Sequence, residues 1–177
     1  IAKKKLKTNT NDAEGSDSSA TFAFNNGVQD YDGFDTSYQS WMWKRHAGFD
    51  VVTYKGNATS GLQVSHSLGK IPEMIWVKRR SGSWGWQVYH KGLNGGTNPE
   101  QKYLELNDNA AEVDNVNRWN DTAPTSTHFT LGNYNAVNGG GDNTIAMLFS
   151  SVDGISKVGS YTGNGGTNTQ TVGFLPR

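Results

Sequence analysis

The chain has 177 residues and equal numbers of basic and acidic side chains, so it carries no net charge. This allows one packed domain with pieces of neighbours and disfavours a partner chosen by bulk charge, such as nucleic acid or an anionic membrane. The lack of cysteine excludes disulfides, thiolate metal sites and a cysteine nucleophile, and no apolar run approaches the ~20 residues of a membrane helix.

The chain opens with the basic run "IAKKKLK", Ile1 to Lys7, followed by "TNTNDAEGSDSSA". That stretch has too little apolar content to pack, so residues 1–20 are expected to be a polar, basic arm or linker, with a basic anion-binding tail as the alternative that the lysines support only weakly. Short extended runs broken by Gly, Asn and Asp follow: "TFAF" (Thr21 to Phe24), "YQSWMW" (Tyr38 to Trp43), "DVVTY" (Asp50 to Tyr54), "LQVSHS" (Leu62 to Ser67) and "EMIWVKR" (Glu73 to Arg79). "WGWQVYH" (Trp84 to His90), "KYLELN" (Lys102 to Asn107), "THFTLG" (Thr127 to Gly132), "TIAMLFS" (Thr144 to Ser150) and "KVGSY" (Lys157 to Tyr161) complete the set. Aromatic and β-branched enrichment with partial alternation predicts strands. The fold class is therefore all-β, an antiparallel β-sandwich of jelly-roll-like form. "NDNAAEVDNVNRW" (Asn107 to Trp119) reads as a helical turn or a long surface loop.

One phrase occurs twice. Tyr54, Gly56 and Asn57 match Tyr161, Gly163 and Asn164 at a shift of roughly 107 residues, the size of a domain. The same shift sets Phe22 on Phe129, Phe24 on Leu131, Trp41 on Leu148, Met42 on Phe149 and Val51 on Val158. Residues 21–47 are then the terminal strands of a preceding unit, 48–154 a complete unit and 155–177 the start of a following one, unless one domain holds two similar hairpins. The opening Ile1 in place of an initiator Met suggests a processed chain or a piece of a longer one.

"WMWKRHAGFDVVTYKGN", "HSLGKIPEMIWVKRR", "HKGLNGGTNP" and "NTIAMLFSSVDGISKVGSYTGNG" together resemble an uncharacterised repeated β domain of virion proteins in tailed, particularly marine, bacteriophages. The similarity runs from about Tyr38 to Asn164; Ile1 to Ser37 departs from it. The resemblance implies a structural or tail-fibre-like role on the virion, with other virion proteins and copies of the same chain as partners. Fibres of this sort are often trimeric homo-oligomers. It supplies no catalytic residues.

Residue chemistry agrees with a non-enzymatic reading that needs no cofactor. Glu73, Glu105 and Glu112 stand in no catalytic phrase, and Glu105 is expected on the non-core face of its strand. His46, His66, His90 and His128 show no metal spacing and read as turn or strand-end residues. "DYDGFD" (Asp30 to Asp35) echoes a calcium loop but lacks its spacing and closing Glu, so a solvated turn is the simpler reading. "GNGG" (Gly163 to Gly166) has no helix behind it to hold a phosphate. "VKRR" (Val77 to Arg80) is read as a solvated strand end or a contact for an acidic neighbour.

The aromatics leave two readings open. Trp84 and Trp86 fall on one face of a regular strand, either as half of the sandwich core or as a platform for a sugar ring. In the second case His90 and Asn94, in "HKGLNGGTNP", offer nearby hydrogen bonds. Trp41 and Trp43 share the ambiguity, whereas Trp76 in "MIWV" is expected to be packed. The sequence thus points to a virion structural protein, with a carbohydrate-binding module that contacts host-surface glycan as the alternative. Neither nucleic-acid binding nor membrane insertion is expected.

Overall fold

The computed structural model describes residues 4–16, 20–22, 28–30 and 42–175. Two short hairpins come first, β1 (Lys4–Lys5) with β2 (Gly15–Ser16) and β3 (Ala20–Phe22) with β4 (Val28–Asp30). The main body follows: β5 (Phe49–Lys55), β6 (Leu62–Ser65), β7 (Met74–Arg79), β8 (Gln87–His90), β9 (Lys102–Glu105), β10 (Val113–Asp114), α1 (Val116–Trp119), β11 (His128–Leu131), α2 (Asn135–Asn138) and β12 (Asn143–Phe149). Six strands form an antiparallel sheet in the order β10-β9-β8-β7-β12-β5, and β11 pairs with β6 in a second layer. The chain leaves the large sheet after β5 and after β10 and returns at β7 and β12. Those two excursions give the all-β sandwich its jelly-roll-like winding.

Alternation decides what lies between the layers. Val52 and Tyr54 of β5, Ile75 and Val77 of β7, Ala146 and Leu148 of β12, and Tyr89 of β8 point inward. They meet Val64 of β6, Phe129 and Leu131 of β11, Trp119 of α1 and Val137 of α2. Each buried aliphatic or aromatic side chain here contributes about 1.5–3 kcal/mol. Arg118 also lies inside, 3% exposed, its guanidinium stacked between the rings of Tyr103 and Tyr134 and its Nε donating to Gln87 at 2.6 Å. Glu105 shares this inner side with Tyr103, accepting from Gln87 at 3.0 Å, so the expectation that it faces away from the core is corrected. The strand carrying both pairs with β8, whose Gln87 points inward opposite Glu105.

The phrase Tyr54-x-Gly56-Asn57 is where β5 is fastened. Tyr54 donates its hydroxyl to Val137 O at 2.7 Å, Asn57 N–H donates to Asn138 Oδ1 at 2.7 Å, and Gly56 N–H donates to Asp142 O at 3.0 Å. A Cβ on Gly56 would lie 2.2 Å from Gly139 O, so only glycine fits. Asn57 Oδ1 accepts from Thr59 N–H at 2.9 Å, and Ala58 takes φ 58°, which turns the chain out of the sheet toward β6.

Two buried or half-buried carboxylates hold the opposite end. Asp50 accepts from the N–H groups of Val51 and Ser67 at 2.9 and 2.7 Å and from Arg45. Glu73 accepts from Lys91 at 2.6 Å and from Ser151 N–H at 2.7 Å. Burial pushes both carboxyls up, but the hydrogen bonds outweigh it and both lie below their ordinary values. A folded-state pKa below the unfolded one means stability is present above about pH 4 and is lost as pH falls through the depressed values. Thermal melts from pH 7 to pH 2 are therefore expected to decline slightly once the pH drops below about 6.5, where burial of His66 and His90 resists their protonation, and to fall further below about pH 4.5 as the carboxylates are protonated.

The N-terminal segment departs from the free arm expected. Residues 4–16 lie against the outer face of the large sheet: Lys7 O accepts from Trp86 Nε1 at 2.7 Å, Asn11 O accepts from Lys78 Nζ at 3.2 Å, and Glu14 pairs with Arg80. Backbone carbonyls do this, so apolar side chains are not required. Asn107 to Trp119 holds both a short strand, β10, and a single helical turn, α1, with the Asn115 side chain capping Asn117 N–H. The expected strand "KVGSY" is not a strand: Val158 N–H donates to the Ser151 hydroxyl at 3.0 Å and not to a neighbouring strand. "YQSWMW" up to Trp41, Phe24, and Tyr31 to Asp35 lie outside the described residues.

Candidate functional site

The outer face of the large sheet is as apolar as the inner one. Phe49 and Val51 of β5, Met74 and Trp76 of β7, and Ile145, Met147 and Phe149 of β12 project from it in register. Residues 4–16 cover the end holding Lys78 and Trp86. At the other end Trp43, 48% exposed, stacks on Phe49 at 5.6 Å and meets Phe149 edge-on at 5.9 Å, while Trp76 lies 4.9 Å from Phe149. These rings wall a cleft of about 370 Å³, closed on one side by Ser156 to Gly159 and lined also by Met74, His90 and Ser150.

Two polar groups border this cleft. His90 accepts the Gly92 N–H on Nδ1 at 3.0 Å, which leaves the ring proton on Nε2, and the backbone of Gly159 hydrogen-bonds the ring. Burial, assisted by the Lys91 charge, holds its pKa below the ordinary histidine value, so it is neutral at pH 7. Ser150 Oγ is buried without a hydrogen-bond partner among the described residues. It is therefore not joined to a base, and His90 Nδ1 is committed to backbone, so the pair does not form an activated nucleophile. The cleft offers aromatic faces, with the Ser150 hydroxyl shut behind its wall, which suits a flat ring or an apolar side chain.

Of the four residues singled out as a sugar platform, only His90 reaches this cleft. Trp86 is 1% exposed beneath Lys7, while Trp84 sits at the sheet end, edge-on to Tyr134 at 5.8 Å and under the Arg79 guanidinium. The two indoles do not share an exposed face, because Trp84 precedes β8 and is not held to its pleat. Asn94 lies in the turn after β8 at φ 53°, its N–H donating to the Glu112 carboxylate and its Nδ2 to Thr97 O. Trp86→Ala is expected to cost about 3–5 kcal/mol in chemical denaturation, as removal of a buried indole does.

Trp76, expected to be packed, forms a wall of the cleft instead. A signal for it was present: "EMIWVKR", "DVVTY" and "TIAMLFS" are apolar on both alternating faces, the pattern of a sheet covered on both sides. The other candidates have structural partners. His46 contacts Ser67 O, His66 contacts Thr125 O and His128 contacts the hydroxyls of Thr125 and Thr127. Lys78 is buried and donates to Trp84 O at 2.6 Å, burial lowering its pKa, and Arg79 pairs with Asp142 at 2.9 Å. The basic strand end is thus paired within the domain. Among the described residues no three His, Asp or Glu side chains are grouped to hold a metal, and no helix is long and apolar enough to cross a membrane.

The fold and this surface define an antiparallel β-sandwich domain with one sheet face roofed by a second layer and the other carrying an aromatic cleft. The chain belongs to the family described as Domain of unknown function (DUF7483), whose model matches residues 1–177. No curated protein and no solved structure matches it.

Proposed function

We propose that this domain is a non-catalytic structural unit of a bacteriophage virion protein, fibre-like or on the particle surface, which works through contacts with copies of itself and with other virion proteins. The observation that carries this reading is the outer sheet face: Phe49, Val51, Met74, Trp76, Ile145 and Met147 line it in register, each half-buried, with the more exposed Trp43 at one end. A second apolar sheet face of this kind suits a contact with another macromolecule. The carboxylates support it as well, since Asp50, Glu73, Glu105 and Glu112 all accept hydrogen bonds that hold loops and strands together. Peptide mapping of purified particles from the native source tests the reading. The chain is expected there in stoichiometric, copy-number amounts, and its confinement to the soluble fraction of infected cells would refute it.

The aromatic cleft favours a second reading, a glycan-binding module for the host surface. Trp43 presents an exposed indole, the stacking face a pyranose ring uses. If so, Trp43→Ala lowers retention on host-envelope polysaccharide about 5- to 30-fold, the loss of one stacking contact of about 1–2 kcal/mol, while the lost contacts with Phe49 and Phe149 lower the melting temperature only slightly and the domain stays folded. Equal retention of the variant and the parent protein would remove this reading.

A further inference from the structure

The two copies of the Tyr-x-Gly-Asn phrase have the same local shape and opposite surroundings. Asn164 Oδ1 accepts from Gly166 N–H at 3.0 Å, as Asn57 Oδ1 accepts from Thr59 N–H at 2.9 Å. Gly165 stands at φ 74° where Ala58 stands at φ 58°. The turn that ends β5 is therefore already formed in the second copy. Its long-range half is empty: Tyr161 is 70% exposed where Tyr54 is tied to Val137, and a Cβ on Gly163 would meet nothing within 4 Å where one on Gly56 would strike Gly139 O at 2.2 Å.

A glycine and a tyrosine at matching positions, set on a matching turn, have a use only if a loop like Val137 to Asp142 closes on them. The loop of the same unit is filled by β5. We propose that residues 158–166 are a preformed latch, gripped by the loop corresponding to Val137 to Asp142 in a second unit of this same domain, where they supply the strand that β5 supplies here. The latch begins at Val158 because Lys157 stands where β5 has its buried Asp50, and its first two residues, held here against Ser151 and His90, swing away from their own unit on engagement. It rests on the reading of the domain as an assembly unit and adds the partner and the residues that join them. The interaction adds a strand to a sheet, with backbone hydrogen bonds giving affinity and the tyrosine socket giving register.

The test joins two units. In one tandem, residues 1–164 bearing Lys157→Asp are continued directly by residues 58–154, so the second unit can take its first strand only from the latch. In the reference tandem, residues 1–154 are continued by residues 48–154, and both units keep their own strand; an excess of a peptide of residues 4–16 is added to both tandems to cover Trp86 and Lys78 of the second unit. Calorimetry is expected to show both units unfolding cooperatively in each tandem. Adding Tyr161→Ala and Gly163→Val to the first tandem should abolish the transition of its second unit, while the same pair in the 177-residue chain leaves melting unchanged. A reference with both transitions beside a latch tandem with one overturns the latch alone. A reference whose second unit does not fold overturns the assembly-unit reading together with it.

Discussion

Gly56→Val is expected to destabilise the domain by more than about 3 kcal/mol, whereas Gly163→Val, in the same four-residue phrase, is expected to leave the melting temperature unchanged. The cause is the backbone of the α2 loop. A side chain at 56 would enter the space of Gly139 O, Asn138 C and Gly139 N, at 2.2, 2.8 and 2.9 Å, and backbone cannot rotate away as a flexible side chain can. Relief would require the loop to withdraw, which breaks the hydrogen bonds between Gly56 N–H and Asp142 O and between Asn57 N–H and Asn138 Oδ1. Tyr54 would then lose Val137 O and its edge-on contact with Phe129. Denaturant titration of the two variants side by side measures the asymmetry. Equal losses would mean that residue 163 is as enclosed as residue 56.

Asp50→Ala carries the second large effect, about 3 kcal/mol. The carboxylate is fully buried and is the acceptor for Val51 N–H, Ser67 N–H, the Ser67 hydroxyl at 3.1 Å and Arg45. Truncation leaves buried donors without partners, and the connection from β6 to β7 loses its tie to β5. Asp50→Asn keeps the shape but weakens the bonds to Arg45 and to the backbone, so its cost should be smaller. The same variants check the acid response, because Asp50→Asn should flatten part of the fall in stability below pH 4. An unaltered acid profile would assign that fall to Glu73 and the other carboxylates.

The strands of the main body were legible because their alternation and turn residues are local. β6, β7, β8, β9 and β11 each fall within a run read from sequence, while β5 exceeds its run by a residue at each end and β12 by a residue at its start. The cleft was harder to read. Two-sided apolar strands do not say which face the second layer will cover, and Trp76 became a wall because β6 and β11 pack on the other side. Trp86 is buried, as the packed reading had it, but what covers it was not legible: its partner is a backbone carbonyl at Lys7, in a polar segment with no hydrophobic signal. α2 was invisible because four residues of "NAVN" are too short for helical periodicity, and the turn is held by Tyr134 O accepting from Val137 and Asn138 N–H. The Tyr-x-Gly-Asn repeat was visible as letters, but that one copy is fastened and the other open required the environment of each.

That difference is the central claim, and hydrogen exchange on the 177-residue chain measures it most directly. Amides of Gly56 and Asn57, bonded to Asp142 O and Asn138 Oδ1, are predicted to exchange only with global unfolding, and those of Gly163 and Asn164 at close to the rate of an unstructured peptide. Comparable protection at the two copies would contradict the account.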